Sequence, residues 1–422
     1  MSEERKGRTT GRPGRNGELE RDEDSFDIET LLLQDAPLPP AHGAAPALHQ
    51  TSLFTFASFS EMRAAIESKR GTLYTRGRNP TVRAFEEKVA LLEGAEDAVA
   101  FASGMAAIAA AVLSNVESGS KIVCVRNVYP DAHKLMTRFL PRYGVETVFV
   151  DGSDTDAVAA KLDGASLLYL ENPTTLLFEL QDLEALTSLA REHGAITIVD
   201  NSWATPLLQR PLDHGADLVL HSASKYLSGH SDVVAGVVAG SGERVAAIRD
   251  LELMVIGGKL SPFDAWLLLR GLRTLPIRMK RHHSSAERVA EFLRDHPAVE
   301  SVNYPGDRDN PHSELFDKYF DGAGGLLSFE LTDERLVEPF VDALRVFRLG
   351  VSWGGFESLV YPALMSHLTG GPYSATAAFG VPRTLVRLFV GLEDPGDLVS
   401  DLAQAISTAR RTLEKGERNM EV

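Results

Sequence analysis

From Gly71 onward the chain alternates between two kinds of hydrophobic spacing. In "TVRAFEEKVALLEG" the residues Val82, Phe85, Val89 and Leu92 recur at helical intervals and the pattern stops at Gly94, which predicts a helix over 81–94. "AVAFAS" then reads as a buried strand and "GMAAIAAAVLSNV" as a helix beginning at Gly104. Apolar runs in "KIVCVRN", "VETVFVD" and "SLLYLEN" predict three more strands; a helix in "LQDLEALTSLAREHG" and strands in "AITIVDN" and "ADLVLHS" follow. Strands that are apolar nearly throughout, separated by helices, describe an α/β fold with a mostly parallel sheet covered on both faces. In such sheets ligands bind beyond the carboxyl ends of the strands.

After "RGLRTLP" (270–276) the character shifts. A polar helix, "RMKRHHSSAERVAEFLRDH", leads into shorter alternating strands such as "GLLSFELT" and "TLVRLFVGLE". The expected organisation is a disordered tail over 1–45, an amino-terminal arm over 46–72, a large domain over 73–270 and a smaller α+β domain over 271–422. The tail mixes charges with Gly and Pro and holds one apolar cluster, "FDIETLLL".

Composition narrows the function classes. The 422 residues are 44% hydrophobic, enough for one large core and a smaller one. With 59 acidic against 43 basic residues the net charge is −16, which argues against a phosphate-backbone binder and for a protein with a local anion site. The single cysteine, Cys124, sits in the strand-like "KIVCVR", which excludes disulfides and thiolate metal clusters and reads as core. The longest apolar run, Met105 to Leu113, is far short of a membrane span, and the polar start is no signal peptide. The expected location is the cytoplasm, without nucleic-acid or membrane partners and without a metal.

Four features fall just beyond strand ends. In "FASGMAAI" a strand gives way through Ser103-Gly104 to a helix, and backbone N–H groups approached through Gly form a nest for a phosphate, or an ordinary helix start. Asp200 ends "AITIVD" and either caps a turn or holds a protonated ring nitrogen. In "LHSASKYLSGHSDVVAG" Lys225 stands among Ser222 and Ser224; it is a solvated turn lysine or, partly desolvated, one with a lowered pKa able to form a Schiff base. In "YTRGRNPT" Tyr74 and Arg76 lie two apart, on one side of an extended segment, and a phenol with a guanidinium suits a phosphate dianion. A phosphate nest, a ring-nitrogen carboxylate and a Schiff-base lysine together are what pyridoxal 5'-phosphate requires.

These segments, with "VDNSWATP", "LLLRGLRTLP", "VSWGGFES" and "VRLFVGLEDPGDLVSDL", resemble the trans-sulfuration (Cys/Met metabolism) family of pyridoxal-phosphate enzymes over about Ala47 to Ile406. The resemblance implies a fold-type I, aminotransferase-like subunit and a homotetramer of tight dimers. It further implies that Lys225 is the Schiff-base lysine and Asp200 the partner of the pyridine nitrogen. By the same resemblance Gly104, Met105, Ser222 and Ser224 cradle the phosphate, and Tyr74 and Arg76 reach the phosphate of the neighbouring subunit. Tyr129 would stack on the ring and help deprotonate the incoming amine, Arg387 would clamp the substrate α-carboxylate, and Ser352 would stand near the lysine amine. In the bare sequence Arg387 could equally be part of a structural ion pair.

Several positions depart from the family pattern and bear on the substrate. "YPD", "ENPTTL" with Thr175, and "SWGG" with Trp353 resemble the cystathionine β-lyase branch, whereas "RNPT" is closer to the γ-enzymes. Val351, apolar just before Ser352, resembles methionine γ-lyase, and Arg78 stands where Gly is common. The expected activity is elimination of a sulfur leaving group from an amino acid such as cystathionine, giving a thiol, ammonia and a 2-oxo acid. The alternatives are γ-replacement on an O-acyl-homoserine, methionine γ-lyase chemistry, and a non-catalytic scaffold that binds the cofactor.

Overall fold

The computed structural model describes residues 27–33, 44–68, 71–307, 310, 312–371 and 374–420. Most of the expected disordered tail, residues 1–26 and 34–43, lies outside the described residues. Its apolar cluster does not: Ile28–Leu33 forms a short helix with Leu32 buried, the Leu31 carbonyl accepting from Lys88 Nζ at 2.7 Å. The arm that follows lies along the start of the helix over Pro80–Glu93. Trp266 Nε1 donates to the Pro46 carbonyl at 3.1 Å, and the His49 N–H donates to Thr81 Oγ1 at 2.9 Å.

The helix over Pro80–Glu93 begins and ends as its sequence dictates. The Asn79 side chain accepts from the Thr81 N–H, Pro80 takes the first turn, and Gly94 closes the helix at φ 69°. Val82, Phe85, Val89 and Leu92 are all buried, so the helical stripe faces the sheet. The central sheet has seven strands: β1 (Asp97–Phe101), β2 (Lys121–Val125), β3 (Glu146–Val150), β4 (Leu167–Glu171), β5 (Ile196–Asp200), β6 (Leu218–His221) and β7 (Gly236–Gly240). Their order is β1-β7-β6-β5-β4-β2-β3, and β7 alone runs against its neighbours. Six strands therefore deliver their carboxyl ends to one edge of the sheet. Cys124 is buried in β2, as its apolar neighbours imply.

A second, smaller sheet covers that edge. It comprises β8 (Val299–Asn303), β9 (Leu326–Leu331), β10 (Arg348–Leu349), β11 (Leu359–Pro362) and β12 (Leu385–Phe389), in the order β10-β11-β12-β9-β8. Helix Leu275–Arg294 packs on it, and helix Pro395–Met420 packs against that helix. Among the described residues no helix is long and apolar enough to cross a membrane.

The two sheets meet at the segment that follows β6. Tyr226 is fully buried; its Oη accepts the Gly325 N–H at 2.8 Å, and its ring meets Trp353 edge-on at 5.4 Å. Ser231 Oγ donates to Glu357 at 2.7 Å across the same joint. Gly354 makes the approach possible: it has φ 88°, and a Cβ there would lie 2.7 Å from Tyr226 N and 2.9 Å from Lys225 Cα. Those are backbone atoms that cannot swing aside. Gly354→Ala is expected to destabilise the fold by about 1–3 kcal/mol and to push the 352–353 segment off Lys225. Urea unfolding and cofactor retention measured on the same variant check both effects.

Candidate active site

Beyond the parallel strand ends lies a cavity of about 280 Å³. Of the residues singled out from sequence, Gly104, Met105, Tyr129, Thr175, Asp200, Ser222, Ser224, Lys225, Ser352, Trp353 and Arg387 line it. Segments distant in sequence come together because each follows the end of a strand: β1, β2, β4, β5 and β6 each contribute. Arg387 comes from β12, opposite.

One end of the cavity is built for an anion. Ser103 caps the helix Gly104–Leu113 by accepting from the Ala106 N–H, and the preceding N–H groups of Gly104 and Met105 have no helical partner of their own. A Cβ on Gly104 would lie 2.8 Å from Ser222 Oγ, so Gly there lets the helix start close against that hydroxyl. Ser224 lines the cavity, but its hydroxyl is already engaged by Ala235: it donates to the carbonyl at 3.1 Å and accepts the N–H at 2.9 Å.

The centre holds the basic and acidic groups. Lys225 Nζ donates to Ser352 Oγ at 2.8 Å and lies 5.3 Å from the centre of the Trp353 ring. Burial, and then the charge of Arg387, lower the lysine to about 8, with Asp200 opposing. Asp200 is buried; its Oδ1 accepts the Ser202 N–H at 3.0 Å and the Ser202 hydroxyl at 2.6 Å. Burial raises Asp200, and the Ser202 hydrogen bonds, His221 and Lys225 act the other way. Beside it in register is Glu171, pushed up to about 8 by burial and by Asp200. The two carboxyl groups disfavour each other's charge, and Lys225 and His221 act on the Asp200 side to favour its charged form.

The far wall carries Arg387. It is buried and has no carboxylate partner among the described residues, so a structural ion pair is not its role. Its Nη2 donates to the carbonyls of Val351 and Ser352, each at 3.1 Å, its Nε is unpaired, and its guanidinium lies 5.2 Å from the Tyr361 ring centre. Burial lowers it to about 10, which leaves it charged at neutral pH. Tyr129 donates from Oη to Asp131 at 3.1 Å, and burial together with Asp131 pushes its phenol up to about 12.

Four residues singled out from sequence stand outside the cavity. Val351 is 79% exposed and meets the site only through its carbonyl on Arg387. Tyr74 is exposed, with Arg76 over its ring at 5.5 Å. Arg78 and Arg76 border a small separate recess with Glu86, Arg249 and Lys259, and burial and the Arg249 charge lower Arg78. Reading the sequence residue by residue missed Glu171, Ser202 and Gly354. Glu171 follows only from strand register, Ser202 from a local turn two residues beyond Asp200, and the signal for Gly354 was the "GG" pair after Trp353.

This donor set fits pyridoxal phosphate. An N–H nest with a serine hydroxyl suits the phosphate, a buried aspartate suits a protonated ring nitrogen, and an amine of lowered pKa suits the aldehyde. The comparisons with known proteins agree. A family profile described as "Cys/Met metabolism PLP-dependent enzyme" matches residues 29–407. Cystathionine beta-lyase from Lactococcus lactis subsp. cremoris is 42% identical over 335 residues, covering 79% of this chain and 88% of that one. Cystathionine gamma-lyase from Bacillus subtilis is 40% identical over 338 residues, covering 80% and 89%. The crystal structure of cystathionine gamma synthase from Xanthomonas oryzae pv. oryzae superposes with a TM-score of 0.85 at 35% identity, covering 92% of this chain and 99% of that one. With a site of this composition at the strand ends and a family match over most of its length, the chain belongs to the Cys/Met metabolism family of PLP-dependent enzymes.

Proposed function

We propose that the protein is a carbon–sulfur lyase that eliminates a sulfur leaving group from an amino acid such as cystathionine, releasing a thiol, ammonia and a 2-oxo acid. The observation that carries this reading is the pairing of a lysine lowered to about 8 with an arginine that has no carboxylate partner across one cavity. When bound, pyridoxal phosphate supplies the electron sink that makes a substrate Cα–H acidic. The residues do the rest. Arg387 holds the α-carboxylate with its unpaired Nε, orienting the Cα–H toward Lys225 Nζ. Lys225, as the free amine, takes that proton and carries it to the leaving side, while Ser352 fixes the position of Nζ. Asp200 would hold the protonated ring nitrogen, with Ser202 fixing the carboxyl's orientation. Trp353 stands 5.3 Å from the lysine amine and limits water at the reacting centre.

The β-lyase and γ-lyase relatives differ by two percentage points of identity, so regiochemistry rests on the site, and the "SWGG" segment favours loss at the β-carbon. Tyr74 and Arg76 lie away from their own chain's cavity, which supports a homotetramer of tight dimers in which they serve the neighbouring subunit. The cytoplasm is the location that suits this chemistry.

Three measurements test the reading. NMR of the products from cofactor-loaded protein and L-cystathionine should give homocysteine and pyruvate; cysteine and 2-oxobutanoate would move the assignment to γ-elimination, and no 2-oxo acid from any sulfur amino acid would end the lyase reading. Lys225→Ala should abolish turnover, and Arg387→Ala should raise KM by roughly 10–100-fold. In cofactor-free protein, acylation of Lys225 followed by peptide mass spectrometry should rise with pH around a midpoint near 8, because only the free amine reacts. A midpoint near 10.5, the ordinary lysine value, would remove the base role at neutral pH.

A further inference from the structure

Glu171 ends β4 against the cavity wall, and its two carboxyl oxygens serve two different segments. Oε2 accepts the Tyr129 N–H at 2.7 Å, in the segment after β2. Oε1 accepts the Thr175 hydroxyl, in the turn after β4. The same segments also meet directly: the Thr175 N–H donates to the Asn127 carbonyl at 2.7 Å, and Asn127 Nδ2 donates to Glu179 Oε2 at 2.8 Å. Tyr129 and Thr175 both line the cavity, so Glu171 is the tie behind one wall of it. It is buried and makes no ion pair among the described residues, and burying a carboxyl without a cation is unfavourable unless its hydrogen bonds offset the cost.

We propose that Glu171 is a positioning residue that binds the Tyr129 and Thr175 segments into a single rigid wall against the cofactor, through the hydrogen bonds its two carboxyl oxygens accept. Without the bridge the Tyr129 N–H is left without its acceptor, and the ring it carries is free to tilt away. Glutamine is the isosteric replacement that keeps both contacts, with the direction of the Thr175 hydrogen bond reversed. The amide oxygen of glutamine can accept from Tyr129 and its N–H can donate to Thr175 Oγ1. This inference concerns how the cofactor is held; it does not depend on which sulfur amino acid is cleaved.

The test uses the full chain, stripped of cofactor and titrated with pyridoxal 5'-phosphate. Two quantities are read: the dissociation constant, and the circular dichroism induced in the bound cofactor, which responds to the orientation of the wall. Glu171→Gln should stay within about threefold of the unsubstituted protein, whereas Glu171→Ala should bind about tenfold more weakly or worse and lose induced dichroism. Thr175→Val should shift both readouts in the same direction by less, and Thr175→Ser should restore them. If Glu171→Ala kept both readouts, or if Glu171→Gln were as impaired as Glu171→Ala, the bridge would be refuted. Should Glu171→Ala fail to fold, the Thr175 pair decides: a Thr175→Val protein indistinguishable from the unsubstituted one overturns the proposal.

Discussion

The cavity keeps a lysine, an arginine and two carboxyl groups away from bulk water without pairing them into salt bridges, and much of the surrounding structure answers that constraint. A buried charge without a partner is unfavourable, and a stable protein could remove the cost by pairing these groups with one another. Here neutral groups hold them instead. Ser352 accepts from Lys225, the carbonyls of residues 351 and 352 accept from Arg387, and Ser202 donates to Asp200. Each group is fixed in direction but not paired with an opposite charge, so a ligand group of opposite charge entering the cavity would meet it little weakened. The extensive cores of the two sheets are what make such an arrangement tolerable.

The same constraint explains the form of the joint between the sheets. The segment carrying Lys225 belongs to the large sheet, and the segment carrying Ser352 and Trp353 belongs to the small one. Their contact is tight because Gly354 brings one backbone onto the other, with Tyr226 buried beneath and Ser231 tied to Glu357 alongside. The pKa of the lysine is therefore a property of both sheets at once. Its desolvation depends on the small sheet staying closed over it, and the charge that lowers it further comes from Arg387 in β12.

Much of this was legible in the sequence where the chemistry is local. The helix over Pro80–Glu93 was readable from its apolar stripe, its Asn-Pro start and its Gly stop, and Asp200 and Lys225 were readable as charged residues at the ends of apolar runs. What depends on register was not. That Glu171 stands beside Asp200 follows from the pairing of β4 with β5, which no single stretch encodes. Direction was hidden too: Val351 contributes a carbonyl and turns its side chain to solvent, and Ser224 spends its hydroxyl on Ala235. Whether Arg387 had a carboxylate partner required knowing every neighbour of β12. The helix over Ile28–Leu33 was read as tail because its few apolar residues carry meaning only once the surface that buries Leu32 exists.

The position of β7 has a consequence for synthesis on the ribosome. The first strand made, β1, joins the sheet only through β7, the last of the seven to be made. Until Gly236–Gly240 leaves the exit tunnel, β1 has no strand to pair with, and the carboxyl-edge cavity lacks the side that carries Gly104. Strands β2 to β6 have mutual parallel pairings available earlier. The nascent chain therefore carries an unpaired strand, apolar from Ala98 to Phe101, through most of the translation of its large sheet. Closing the sheet and assembling the anion-binding end of the site are, in time, a single event.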